Sequence, residues 1–419
     1  MMNNKRTLVM LALVATTLGH LQWQRPDHDG WIKTDLATAG EQISAMAQRI
    51  GDSSKIPATI RPDGSLFLVN LYDWRSGFFA GSMWYLYEYT RLPMWQQQAR
   101  RWTAALAPLQ WFTEHHDLGF MVYCSYGAGY RLTGDTAYKT ILINAAKSLC
   151  TRFSEKTGTI KSWNSFKSWT NGTVHHYPVI IDNMMNLELL FFASQVTGDP
   201  YYKNVAIRHA NTTLKHHFRK DYSAYHVVNY DSSNGQVTAK ESAQGYAHES
   251  AWARGQAWAL YGYTTTYRWT NDKRYLAQAK GIARYLMKHP NLPADKVPYW
   301  DYHAGQPGYT PCGPNAARYA QGTQPRDASA AAIIASALLE LSDYSKGQEK
   351  QEMIAFAASS LQALHSPAYR SADGSGGGYL LQHSVGSIPH GGEIDVPLVY
   401  ADYYYIEALL RLQQRQAKP

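Results

Sequence analysis

RLTGDTAYK (131–139) and QVTGDPYYK (195–203) are near copies of one another. Each places Gly and then Asp between two apolar, helix-periodic stretches. Gly tolerates the left-handed conformation that ends a helix, and an Asp side chain accepts the first free N–H of the next. YRWTNDKRY (267–275) and SDYSKGQEK (342–350) are looser versions, and YTRLPMW (89–95) is the corresponding break in a first pair. The chain therefore repeats one unit, a helix, a tight turn and a second helix.

The two helices of each unit differ. After the turns, Tyr138, Ile141, Leu142, Ala145, Ala146 and Leu149 follow one-sided helical spacing, as do Tyr275, Ala279, Ile282, Ala283 and Leu286. Such stripes cover a core from outside. Before the turns, IDNMMNLELLFFASQ (181–195), SAWARGQAWALYGYTTTY (250–267) and ASAAAIIASALLELS (328–342) are apolar or small on more than one side. These predict inner helices starting near Gly77, Gly119, Asp182, Ser250, Asp327 and Asp395, each but the last followed by an outer one. An open solenoid would end on a polar capping unit, and VPLVYADYYYIEALL (396–410) is too apolar for that. The expected fold is all-α, a closed (α/α)6 barrel. Strand signals are few; Tyr225 to Tyr230 reads as part of a small hairpin, and GSGGGY (374–379) as a flexible cleft loop.

Composition agrees with one large domain. The 419 residues are 45% hydrophobic, with 31 Tyr and 13 Trp, enough for a large core. Flat aromatic rings also suit sugar C–H faces. The net charge of +8 is scattered, not gathered into the basic stripe of a nucleic-acid binder. Asn3 to Arg6, then TLVMLALVATTLG (7–19), read as a secretory signal over residues 1–22, too short for a comfortable membrane span. The barrel is assigned to 23–419, in an exported, periplasmic protein with no obligate membrane partner, monomeric or weakly dimeric. Cys124, Cys150 and Cys312 match no zinc pattern, and the doublets His115–His116, His175–His176 and His216–His217 lack metal-ligand spacing. No metal or cofactor is expected.

The unusual residues cluster where inner helices begin, which a ring gathers at one rim: DWRSGFFAG (73–81), HHDLGFM (115–121), IIDNMMN (180–186), QGYAHESAWARGQAW (244–258) and HSVGSIPHGGEIDVPLVYADYYY (383–405). Asp117 and Asp182 sit in apolar surroundings. As helix caps they would be ordinary. As two carboxylates in one semi-apolar pocket they cannot both ionise cheaply, which leaves one proton donor and one charged partner. Arg254 shares a helix face with Trp258 and reads either as a bridge to an Asp or as a guanidinium aimed at a substrate carboxylate. His116, His226 and Gln244 are neighbouring polar groups, and Asp395 reads as the cap of the last helix.

Five motifs in order, DWRSGFFAG, HHDLGF, IIDNMMNLE, QGYAHESAWARGQAWALYG and EIDVPLVYADYYYIEAL, resemble the unsaturated glucuronyl hydrolases of glycoside hydrolase family 88. The resemblance runs from Trp74 to Leu410. It implies an (α/α)6 barrel without cofactor that acts on lyase-generated oligosaccharides ending in a C4=C5 unsaturated uronic acid. By resemblance, Asp182 is the acid/base that protonates C4, and Asp117 is its partner. Trp74 and Trp258 are stacking aromatics; His226, Gln244 and Arg254 contact the uronate and its hydroxyls. Some relatives read a sulfate on the next sugar with Ser and Lys from the loop before EIDVP. Here Ser384 and Ser387 are present, but HSVGSIPH has Ile388 and no Lys, which argues against sulfate recognition. The source polymer stays open. Rival readings are a related barrel acting on unsaturated rhamnogalacturonan fragments, a non-catalytic glycan-binding barrel, and a helical scaffold for another protein.

Overall fold

The computed structural model describes residues 28–371 and 376–416; the signal expected over residues 1–22 lies outside them. Six inner helical segments form a ring: Ser76–Thr90; Gly119–Gly127 running on as Ala128–Thr133; Leu187–Thr197 after the tight turn Ile181–Met185; Ala253–Thr270; Ala328–Ser342; and Val399–Gln416. Each packs on the next, and the last lies against both the fifth and the first, which closes the ring. The barrel expected from the helix repeat is the fold observed.

The turns form as their residues dictate. Gly134 and Gly198 take φ of +69° and +73°. Asp135, Asp199 and Asp272 then accept the backbone N–H of Ala137, Tyr201 and Arg274, starting the outer helices Thr136–Cys150, Pro200–His216 and Lys273–Lys288. The fifth inner helix is buried all round: every residue from Ala328 to Ser342 is inside. Small residues let them approach closely. A Cβ on Gly77 would lie 2.1 Å from the carbonyl oxygen of Phe120, so only glycine fits there.

The sixth outer helix was not expected from sequence. It is His28–Ile50, at the opposite end of the chain from the inner helix it covers. It buries Ile32, Leu36, Ile43 and Met46. Asp35, only 1% exposed, fastens it. Its carboxylate pairs with Arg370, accepts from the Tyr405 hydroxyl, and lies 3.0 Å from His365 Nδ1.

One other expectation fails. Asp395 does not cap the last helix. It lies in the strand Gly392–Val396, which pairs with Ser384–Ser387, and its carboxylate meets His383 at 2.6 Å. The apolar run at Val396 to Val399 therefore belongs to the hairpin's exit as well as to the helix, which begins at Val399. The Gly-rich stretch read as a flexible cleft loop lies partly outside the described residues; within them, Gly376 N–H donates to Ser371, Gly377 accepts from Arg49, and Tyr379 is buried. The strand at Val227–Tyr230 is real, but it is the middle of three, between Pro178–Ile180 and Val237–Glu241. Among the described residues no helix is long and apolar enough to cross a membrane.

Because Asp35 serves Arg370, His365 and Tyr405 together, Asp35→Ala should cost about 3 kcal/mol, the scale for stranding a buried charge. Arg100→Ala, which breaks the exposed pair with Asp135, should cost under about 1 kcal/mol. Urea unfolding monitored by circular dichroism measures both.

Candidate active site

Asp117 and Asp182 stand where two adjacent inner helices begin, and neither side chain caps its helix. The first is followed at once by a π-wound stretch, Gly119–Gly127, a wide turn that frequently marks functional sites. The second sits inside the tight turn Ile181–Met185. Gly119 brings the two starts together: a Cβ there would lie 2.5 Å from Asn186 Cα. Asn186 Oδ1 accepts the Phe120 N–H at 3.2 Å across the same contact. The contrast with Asp327, whose carboxylate accepts from Ser329 and Ala330 as a true cap, shows what the two site aspartates have been spared from doing.

Their electrostatics are opposite. Burial, and then the charge of Asp117, push the Asp182 carboxyl up to about 7; Arg254 and the Trp258 side chain oppose the rise. Asp117 is also buried, which alone would raise it. His116, His115 and Asn186 outweigh that and hold it below the ordinary carboxylate range. His115 Nδ1 lies 3.2 Å from one oxygen and His116 Nε2 3.2 Å from the other. Burial drives His116 down to about 4, so it is neutral at pH 7. His115, despite its own burial, is raised by its hydrogen bond to Asp117. One carboxyl thus keeps its proton near neutrality while its neighbour stays ionised.

Around the pair lies an aromatic wall. Phe120 is 5.0 Å from Trp258 and 5.6 Å from Trp74, centroid to centroid, and Trp74 meets Tyr400 at 4.9 Å. His226 packs at 4.4 Å on Trp252 and points Nε2 to within 3.6 Å of Asp182 Oδ2. Its Nδ1 accepts the backbone N–H of Ala243 and Gln244 at 3.2 Å each, which fixes the proton on Nε2. Several buried polar atoms here have no hydrogen-bond partner among the described residues: Asp182 Oδ2, His226 Nε2, Trp252 Nε1 and the Tyr400 hydroxyl. Buried groups normally find partners, and a cluster of orphans is where a ligand supplies them.

The other candidates fall on both sides of this wall. Trp74 is half-buried, and Trp258 is fully buried with its N–H toward Asp182. Gln244 is half-buried and donates to the Gly386 carbonyl at 3.2 Å. Arg254 is 1% exposed, and its guanidinium is spent inside the protein. It pairs with Asp327 at 3.1 Å and donates to the carbonyls of Val385 and Gly386. Of the two readings of Arg254, the bridge to an Asp is the observed one. Ser384 is fully buried and accepts the Ser329 N–H at 3.1 Å, so it serves the fold. Ser387 is half-buried, its hydroxyl 2.6 Å from His390 Nδ1. Among the described residues no three His, Cys, Asp or Glu side chains converge as metal ligands. Sequence reasoning missed His115 and Asn186, both partners of Asp117. The signals were present: His115 is two residues before Asp117, and Asn186 is four after Asp182, one turn along the same segment.

Residues 53–278 match the model of Glycosyl Hydrolase Family 88. An unsaturated glucuronyl hydrolase from Formosa agariphila is 46% identical over 342 residues, 81% of this chain and 80% of that one. An unsaturated chondroitin disaccharide hydrolase from Streptococcus agalactiae is 32% identical, covering 91% of each chain. The crystal structure of an unsaturated glucuronyl hydrolase specific for heparin superposes with a TM-score of 0.84 at 45% identity, over 93% of this chain and 98% of that one. The family model spans the stretch that carries both aspartates, and the relatives extend the likeness to nearly the whole ring: the chain belongs to glycosyl hydrolase family 88.

Proposed function

We propose that this enzyme releases the non-reducing-end Δ4,5-unsaturated glucuronic acid from lyase-generated oligosaccharides of glycosaminoglycan type. The observation that carries the reading is the buried Asp182 carboxyl, held near pH 7 beside the ionised Asp117. A carboxylic acid poised there can give a proton at neutral pH and take one back. Relatives named for unsaturated glucuronyl and chondroitin disaccharide hydrolysis support the substrate class.

Asp182 protonates C4 of the vinyl ether, and positive charge develops at C5 and the ring oxygen. Water adds at C5, and the Asp182 carboxylate accepts the proton that water gives up. The resulting C5 hemiketal opens to a ketone, and the C1 hemiacetal then exposed sheds the aglycone. Atoms balance as one water consumed per glycoside cleaved. Asp117 supplies the negative charge that keeps the Asp182 proton in place until the double bond arrives. His226 Nε2–H, 3.6 Å from Asp182, and Trp258 Nε1–H, turned toward the same carboxyl, orient it and the attacking water. Trp74 offers its ring to the sugar, and Gln244 its amide to the hydroxyls. Arg254 acts from behind the wall through its charge, limiting how far the Asp182 pKa rises. We also read the enzyme as exported to the periplasm, on the basic start and short apolar run of residues 3–19.

On lyase-generated disaccharides the wild type should abolish the ultraviolet absorbance of the conjugated enoate; a signal that persists with every unsaturated glucuronide defeats the reading. Asp182→Asn should lower kcat by about 10³-fold or more while binding persists, as calorimetric titration checks.

The titration has a definite sign. The acid form of Asp182 is lost above about 7, so kcat should fall tenfold per pH unit on that limb. Asp117→Asn removes a charge that raises Asp182, so the limb should move to lower pH. A carboxyl whose folded pKa lies above its unfolded value binds a proton in the native state that the unfolded chain releases. Stability is therefore lost as pH rises from about 4 to about 7. Asp182→Asn should unfold with the wild type at pH 4 and at higher temperature than it at pH 8, by scanning calorimetry.

A further inference from the structure

The outer helix Pro200–His216 breaks the pattern of its neighbours. Counted from the capping aspartates Asp135, Asp199 and Asp272, the same two inward places hold Ala145 and Leu149 in one helix, Ile282 and Leu286 in another, and His209 and Thr213 here. All six are buried. The fold thus accepts apolar side chains at these places. His209 Nε2 and the Thr213 hydroxyl have no hydrogen-bond partner among the described residues. Burying a polar atom unpaired is unfavourable, so packing alone does not account for a histidine at 209.

The other ring nitrogen of His209 has a task. Nδ1 accepts the Ile160 N–H at 3.0 Å, which places the ring proton on Nε2. The carbonyl of the same residue, Ile160, accepts from Asn183 Nδ2 at 2.8 Å. Ile160 and Asn183 are both fully buried. Asn183 follows Asp182 in the turn Ile181–Met185. Three links therefore run from an outer helix to the acid: His209 to Ile160, Ile160 to Asn183, and Asn183 to Asp182 through the backbone. Asn183 also faces His116, the neighbour of Asp117: against the dominant effect of burial, Asp117 and then the Asn183 side chain raise that histidine. Burial, and then the charges of His217 and His116, hold His209 well below the ordinary histidine range, so its Nδ1 stays an acceptor at neutral pH.

We propose that His209 is a positioning residue for the acid: through Ile160 and Asn183 it fixes the turn that keeps Asp182 buried beside Asp117. This role rests on the activity proposed above and extends its machinery to a side chain on the outer ring, which touches neither aspartate.

The test measures kcat, KM and the alkaline limb of kcat for the purified full chain on lyase-generated disaccharides. His209→Leu keeps the bulk and removes the acceptor. It should lower kcat by about 10- to 100-fold, the scale of a displaced reacting group, with KM within about twofold of the wild type. Burial is the main cause that raises Asp182, so a loosened turn that admits water should also move the limb to lower pH. The groups that face Asp182 from the neighbouring elements, Asp117 with its His116, His226 and Arg254, all remain in the variant. His209→Asn carries an acceptor at the place of Nδ1 and should recover most of kcat and the wild-type limb. His209→Gln carries its acceptor at the place of Nε2; it should behave like His209→Leu, and it decides the matter if the leucine variant does not fold. Thr213→Val, on the same stripe without a link to the turn, should leave kcat and the limb unchanged. A kcat and limb unmoved in His209→Leu and His209→Gln, a loss that His209→Asn does not recover, or an equal loss in Thr213→Val overturns the proposal while leaving the activity standing. A wild type that consumes no enoate overturns both.

Discussion

The guanidinium of Arg254 is the group on which scaffold and site both depend. It is buried between the Trp252 ring, 4.5 Å away, and the Tyr400 ring, 5.4 Å away. A buried charge is tolerated only when its donors are all answered. Here the answers come from two separate elements: the cap residue of the fifth inner helix, Asp327, and two carbonyls of the hairpin that precedes the sixth. One side chain of the fourth inner helix therefore sets the spacing of the next two. The same charge lowers His226 below its ordinary range, after burial, and tempers the rise of Asp182. Structural and chemical duties are carried by one field, so an Arg254 variant would lose both at once.

The site also shows why its acid can exist. Taking Asp182 out of water raises its pKa, and placing ionised Asp117 nearby raises it further. That second charge would itself protonate in a dry pocket without help. His115, His116 and Asn186 give that help, and they come from two helix starts that touch because Gly119 has no side chain. The chemistry thus goes back to a packing contact between neighbouring helices. Glycine at that point is a requirement of the reaction as much as of the fold.

Much of this was legible in sequence, for reasons that differ by element. The TGD turns carry their own capping chemistry, so helix ends and the inner-outer alternation could be read locally. The two aspartates stood out because carboxylates are costly in apolar company. What could not be read was long-range. Nothing local says that His28–Ile50 covers Val399–Gln416, or that Asp35 waits for Arg370. Asp395 looked like a cap because Asp before an apolar run usually is one, yet β-pairing with Ser384 to Ser387 took that backbone first. Arg254 kept two readings because its spacing from Trp258 fits either; only its partners in space, Asp327 and two carbonyls, decide between them.

The helix His28–Ile50 closes a ring whose other face, Val399–Gln416, is the last of the ring's helices to be made. During synthesis the early segment has no surface on which to bury Ile32, Leu36 and Met46. Five inner helices can stack in order as they emerge, but the circle joins only when the sixth has been made. Contacts spanning that much sequence are slow to form, and the exposed stripe in the meantime is an invitation to aggregate. Covalently joining the two terminal segments, or expressing the closing helix after the sixth inner one by circular permutation, would turn the slowest junction of the ring into a local hairpin like the other five.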